Sequence, residues 1–147
     1  MMSSIDMNLS VRKTIKIKTD SSKVWDALTN PKMMKKYLFD TNVKSDWKIG
    51  SKISFEGKYQ GKKFKDKGII QKFDKEKLFQ YTYLSEFSGL ENKGENYSIV
   101  TFELTPENKM TKLMITQRGF VDKKAQEHSD KGWRIVLRTI KNILEQN

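Results

Sequence analysis

The chain has no cysteine, a single histidine, two prolines and only 4 arginines beside 25 lysines. Without cysteine, disulfides, thiolate nucleophiles and cysteine-ligated zinc are excluded. One histidine, His128, cannot by itself build a triad or a typical zinc site, and neither an HExxH nor a GxSxG pattern is present. It sits in the polar run Gln126-Glu-His-Ser-Asp130, where a solvent-exposed position is expected. No paired-carboxylate arrangement stands out, and no metal or cofactor is expected. Apolar runs fall short of the roughly 18 residues of a membrane span. Met1 to Ser10 includes Asp6 and lacks a signal-like apolar core, so a flexible leader is expected there.

What is present is a globular composition: 147 residues, 36% hydrophobic and 11% aromatic. That length most simply makes one domain with a substantial core, expected over residues 11–147. The formal charge is +11. Lysine, the strongly hydrated cation, carries most of it, whereas bidentate recognition of phosphate or guanine favours arginine. The lysines are also spread along the chain among acids, so a solvated basic surface is expected and a nucleic-acid partner is not. The densest cluster, Lys58 to Lys67, reads as a hairpin with a basic outer face. The cysteine-free composition is compatible with a cytoplasmic location.

Periodicity sets the order of elements. Val11 to Lys18 alternates as a half-buried strand. Asp20 to Phe39 then carries two helix starts in tandem. Asp20 or Ser21 is suited to cap the first, with Val24, Trp25 and Leu28 on its apolar edge. Asn30-Pro31 begins the second, because proline is harmless at the first helical position. Strands follow over Thr41–Trp47, Lys52–Tyr59, Lys67–Phe73, Lys77–Leu84, Tyr97–Thr105 and Thr111–Arg118, with a poorly patterned stretch from Ser85 to Asn96. From Lys123 to Glu145 the period turns helical, with Trp133, Val136, Leu137, Ile140, Ile143 and Leu144 on one face. Gly132 within it costs on the order of 1 kcal/mol relative to alanine. A strand, two short helices, further antiparallel strands and a long amphipathic helix make an α+β layer architecture. A sheet of about six to seven strands should curl around the final helix.

Several segments in this order resemble the START/Bet v 1-like superfamily with its helix-grip fold. Within it the chain is similar to the branch named after the C-terminal domain of the activator of Hsp90 ATPase. The matching pieces are Val24-Trp-Asp-Ala-Leu-Thr-Asn-Pro31, Trp47 to Ser54 with Gly50, Gly68-Ile-Ile-Gln-Lys-Phe73 and Leu78-Phe-Gln-Tyr-Thr-Tyr83, followed by Val100-Thr-Phe-Glu-Leu-Thr-Pro106, Gly119-Phe120 and Gly132-Trp-Arg-Ile-Val-Leu137. Together they reach from about Val11 to Leu144. The resemblance implies a cavity between the long helix and the sheet that takes hydrophobic small molecules. It leaves open carriers, cyclases or hydrolases of lipid- or polyketide-like substrates, and a co-chaperone partner of Hsp90, because fold does not select function.

Alternation and the helix face nominate the ligand-binding residues: Trp25, Phe55, Tyr59, Phe79, Tyr81, Tyr83, Phe102, Ile115, Trp133, Val136 and Ile140. Each could equally be plain core. Gln117 joins them through the resemblance, since several relatives carry a histidine at that point of the last strand. Met33, Met34 and Tyr37 are candidates for a lid, methionine being adaptable in shape. A binding module without catalysis is the expected function, working as a monomer or weak dimer. An enzyme would use Tyr59, Tyr83 and Gln117.

Overall fold

Alternating side chains produce seven strands and the 3.6-residue periods produce three α-helices in the computed structural model, which describes residues 4–146. The strands are β1 (Asp6–Ile17), β2 (Asn42–Ser45), β3 (Lys52–Tyr59), β4 (Lys62–Asp74), β5 (Leu78–Tyr83), β6 (Ser98–Glu107) and β7 (Met110–Phe120). The helices are α1 (Ser21–Thr29), α2 (Pro31–Tyr37) and α3 (Lys123–Glu145). All seven strands form one antiparallel sheet in the order β1-β7-β6-β5-β4-β3-β2. β2 to β7 is a meander, and β1 returns to pair with β7.

Two expected boundaries shift. Asp6 to Ser10, expected to be leader, belongs to β1: Asp6 pairs with Phe120 and Ser10 with Arg118. The alternation of Val11 and Ile15 continues backwards through half-buried Met7 and Leu9, so these residues also gain from lying on β7. Residues 1–3 of the expected leader lie outside the described residues. β4 begins at Lys62 rather than Lys67, because Tyr59 pairs with Lys62 across a two-residue turn. Gln60 and Gly61 both have positive φ there, 50° and 81°, the geometry of a tight hairpin loop.

Caps and anchors place the helices. An Asp20 carboxylate oxygen accepts from Lys23 N at 3.0 Å, and Asn30 Oδ1 accepts from Lys32 N at 3.0 Å just ahead of Pro31. Asp122 Oδ1 accepts from Ala125 N at 2.8 Å to start α3. This helix runs unbroken through Gly132 for 23 residues, about 34 Å at 1.5 Å per residue. Lys13 pairs with Asp130 at 2.9 Å, and Glu145 Oε2 accepts from Lys18 N at 2.7 Å, so α3 is tied to β1 and its exit two turns into the helix and again at its C-terminal end.

β4 carries one position that tolerates no side chain. A Cβ on Gly68 would fall far inside van der Waals contact of the Thr82 carbonyl oxygen on the neighbouring strand β5. Since the obstacle is backbone, relief requires the strands to part. Gly68→Ala is therefore expected to destabilise by about 3 kcal/mol, the upper end of ordinary overpacking, read from urea unfolding. An unchanged midpoint would contradict the close approach.

Candidate functional site

The concave side of the sheet divides into a filled end and an open end. Under α1 and α2, aromatic side chains close the space. Phe79 is fully buried, with ring centroids 5.6 Å from Phe73, 6.3 Å from Trp25, 6.0 Å from Trp47 and 6.1 Å from Phe102. Trp25, Phe79, Phe102, Ile115 and Ile140 are buried in the core and, of the expected ligand contacts, are the five that do not line the cavity at the open end. Phe102 sits at the boundary: it is buried, and its ring lies 5.7 Å from Trp133 in an edge-on contact.

Toward the other end, between α3, the β3–β4 hairpin and the segment after β5, a cavity of about 460 Å³ remains. Of the expected residues, Phe55, Tyr59, Tyr81, Tyr83, Gln117, Trp133 and Val136 line it. Tyr59 stands at the mouth, 60% exposed, with its ring 6.5 Å from Phe87. Gly132 also lines the space, and a Cβ placed on it would meet nothing within 4 Å. The glycine thus keeps the helix face low over the cavity. A second hollow of about 530 Å³ adjoins it across Tyr83, Gln117 and His128 and reaches Asn96, Ser98 and Phe120. His128 is solvent-exposed as expected and stands on the shared rim.

The expected lid is not at the mouth. Met34 and Tyr37 are buried in the core and Met33 packs against it, because the Tyr37 hydroxyl donates to the Ala27 carbonyl at 2.8 Å and pins α2 onto α1. The next residues, Leu38 and Phe39, border the cavity instead, with Phe39 70% exposed.

Two polar groups inside the apolar wall define its chemistry. Gln117 is held at both ends: its Oε1 accepts from Trp133 Nε1 at 2.7 Å and from Ser129 Oγ at 2.9 Å, and its Nε2 donates to Ser98 Oγ at 3.0 Å. It fastens α3 to β7 and β6 and supplies no titratable proton. Asp66 escaped the sequence reading. It is a buried carboxylate on the inward face of β4, accepting from the Tyr83 hydroxyl and, at 2.9 Å, from the Glu86 backbone N–H. Burial raises its pKa, the hydrogen bonds from Tyr83, the Glu86 backbone and Ser85 opposing that shift. Burial also pushes the Tyr83 and Tyr81 phenols up, so both stay protonated at neutral pH. Glu56 is half-buried and borders a charged groove with Lys58, Lys63 and Lys65 that adjoins the cavity across Phe39 and Phe64, while Glu103 is exposed; neither carboxylate lines the cavity. Among the described residues no cluster of histidine, aspartate and glutamate suits a metal ion, and no helix is long and apolar enough to cross a membrane.

The raised Asp66 pKa has a consequence for stability. With the folded value above the unfolded one, the unfolded chain gives up this proton first, so Asp66 detracts from stability at neutral pH. That penalty vanishes as pH falls from above the folded value to below the unfolded one. The melting temperature of Asp66→Asn minus that of the wild type should therefore shrink between pH 7 and pH 4. A difference that stays flat or grows would refute the raised value.

The profile of the family described as activator of Hsp90 ATPase homolog 1-like protein matches residues 18–145. The chain belongs to this family. Its helix-grip fold, a curved antiparallel sheet around a long C-terminal helix with two short helices after the first strand, recurs in solved structures. A protein from Cytophaga hutchinsonii is 37% identical, with 95% of this chain and 96% of that one covered and a TM-score of 0.82. A Plasmodium falciparum protein described as an HSP90 activator shares the fold at 21% identity and TM-score 0.73, over 92% of this chain and 96% of that one. So does the Aha1 dimer from Colwellia psychrerythraea, at 18% identity and 0.75, over 93% and 96%. No curated protein sequence matches the chain significantly.

Proposed function

We propose that this activator-of-Hsp90-ATPase-like protein binds an apolar or aromatic small molecule in the cavity beneath α3. The observation that carries this is a wall-lined space of about 460 Å³ left open beside a tightly filled core. Ligand sites of small molecules occupy this size range and combine apolar walls with a few fixed polar groups. Gln117 is bonded at both ends, which speaks for binding rather than proton transfer and removes one member of the alternative catalytic trio. Tyr59 at the mouth and Tyr83, committed to Asp66, are the two that remain. We place the protein in the cytoplasm, as a monomer or weak dimer.

The neutral fluorophore N-phenyl-1-naphthylamine tests this directly. Titration into the protein should give saturable, blue-shifted emission and quench the tryptophan fluorescence to which Trp133 contributes. Emission that rises linearly without saturation would mean that no cavity site exists.

A protein partner is the second reading, favoured by the exposed apolar residues Phe39, Tyr59 and Phe87 around the mouth and by the family match. Apolar surface of this kind marks interaction sites when contiguous. Stimulation of an Hsp90 ATPase by the purified chain, lost on Tyr59→Ser with Phe87→Ser, would support it; absence of stimulation would remove it.

A further inference from the structure

The cavity inverts the charge of the molecule. The chain as a whole carries +11, yet among the described residues no lysine or arginine lines the cavity, and the carboxylate that does, Asp66, is buried. Within β4, Lys63, Lys65 and Lys67 face outward while Phe64 and Asp66 face in; Lys62, at the strand's start, is exposed. Asp66 accepts from the Tyr83 hydroxyl and the Glu86 N–H, with the Ser85 hydroxyl also beside it, and has no cation within salt-bridge distance among the described residues. A carboxylate has about four lone-pair sites, so acceptor capacity is left over. A buried charge without a cationic partner is costly, and a ligand that supplies the partner recovers that cost on binding.

The walls agree with the carboxylate. Phe55, Phe64, Tyr81, Tyr83, Phe87 and Trp133 surround the same space, with the Phe55 and Tyr83 rings 5.6 Å apart in an edge-on contact. Aromatic faces attract cations, most strongly where water is excluded. Aromatic walls around an acceptor-only carboxylate recognise one ligand class in particular.

We infer that the cavity selects a ligand bearing an ammonium group on an aromatic or apolar body, the ammonium donating to Asp66 and stacking against the surrounding rings. The inference rests on the cavity-binding reading above and adds the ligand's charge to it. Long-range attraction by the basic surface works the other way, toward anions. A cation preference would therefore have to arise inside the cavity.

Three isosteric naphthalenes separate the possibilities: 2-naphthylmethylammonium, neutral 2-naphthylmethanol and anionic 2-naphthoate, each titrated calorimetrically into the full chain at pH 7 and 0.15 M salt. The ammonium should bind about tenfold or more tighter than the carboxylate, the size of a hydrogen bond to a charged group. Asp66→Asn, checked for folding by thermal melting, should bring the ammonium to within about twofold of the alcohol. Equal affinities in the wild type, or a preference for the anion, overturn the inference while leaving the cavity reading intact. No binding of any of the three overturns both. The wild-type comparison alone decides the matter if Asp66→Asn fails to fold.

Discussion

Gly132→Trp is expected to abolish N-phenyl-1-naphthylamine binding, with at least tenfold loss of affinity, while leaving the fold intact. The helix tolerates the change because the residue points into open space: a Cβ there meets no atom within 4 Å. Gly132 also borders the cavity between Ser129 and Trp133 on one side and Val136 on the other, so an indole built there occupies the ligand's own volume. Gly132→Ala makes the control. A methyl group fills little, and alanine in a helix interior is better than glycine by up to about 1 kcal/mol, so this variant should melt higher and still bind. The pair separates space from stability. A Gly132→Trp protein that melts normally and binds like the wild type would mean the probe sits elsewhere. A glycine costing helix stability in mid-helix makes physical sense if the space it leaves is used.

Much of this architecture was legible in the residues. The tandem caps at Asp20 and Asn30-Pro31, the alternation of β3 and β6, and the apolar face of α3 are local signals, and each element stands where its pattern predicts. The cavity was legible only in outline. Alternation tells which face of the sheet a side chain occupies, so it nominated both Phe79 and Tyr81, which share the concave face. It carries nothing about how far along that face the filling ends, because this depends on where α1 and α2 lie across the strands. Hence Trp25 and Phe79 lie wholly within the packing, while Tyr81 and Tyr83 border the cavity. Met34 and Tyr37 failed as a lid for a related reason: a hydroxyl-to-carbonyl bond ten residues away, from Tyr37 to Ala27, decides how α2 is seated. Asp66 was missed although its signal was there. With β4 started at Lys62, the positions on the inward side after that first residue read Phe64, Asp66, Gly68 and Ile70, an acid between apolar neighbours. Starting the strand at Lys67 left that acid in a turn, where a carboxylate is unremarkable.

The filled end is what allows the other end to stay open, and Phe79→Ala should expose that dependence. Phe79 has no solvent exposure, and its ring meets Trp25, Trp47, Phe73, Tyr81 and Phe102, drawn from α1, the loop before β3 and three strands. Truncating a buried phenylalanine typically costs 3–5 kcal/mol, the lost transfer energy plus the void left behind. A domain of this size has only about 5–15 kcal/mol in total. The melting temperature should fall by on the order of 10 °C. Val136→Ala at the cavity wall should cost much less, about 1 kcal/mol, because one side of that side chain already faces open space and loses few contacts on truncation. If both substitutions cost the same, the division of the concave face into a packed end and a receptive end is wrong. If Phe79→Ala alone is severe, a keystone of aromatic packing under α1 and α2 holds the sheet's curvature, and the vacancy beneath α3 persists without collapsing onto the aromatic wall.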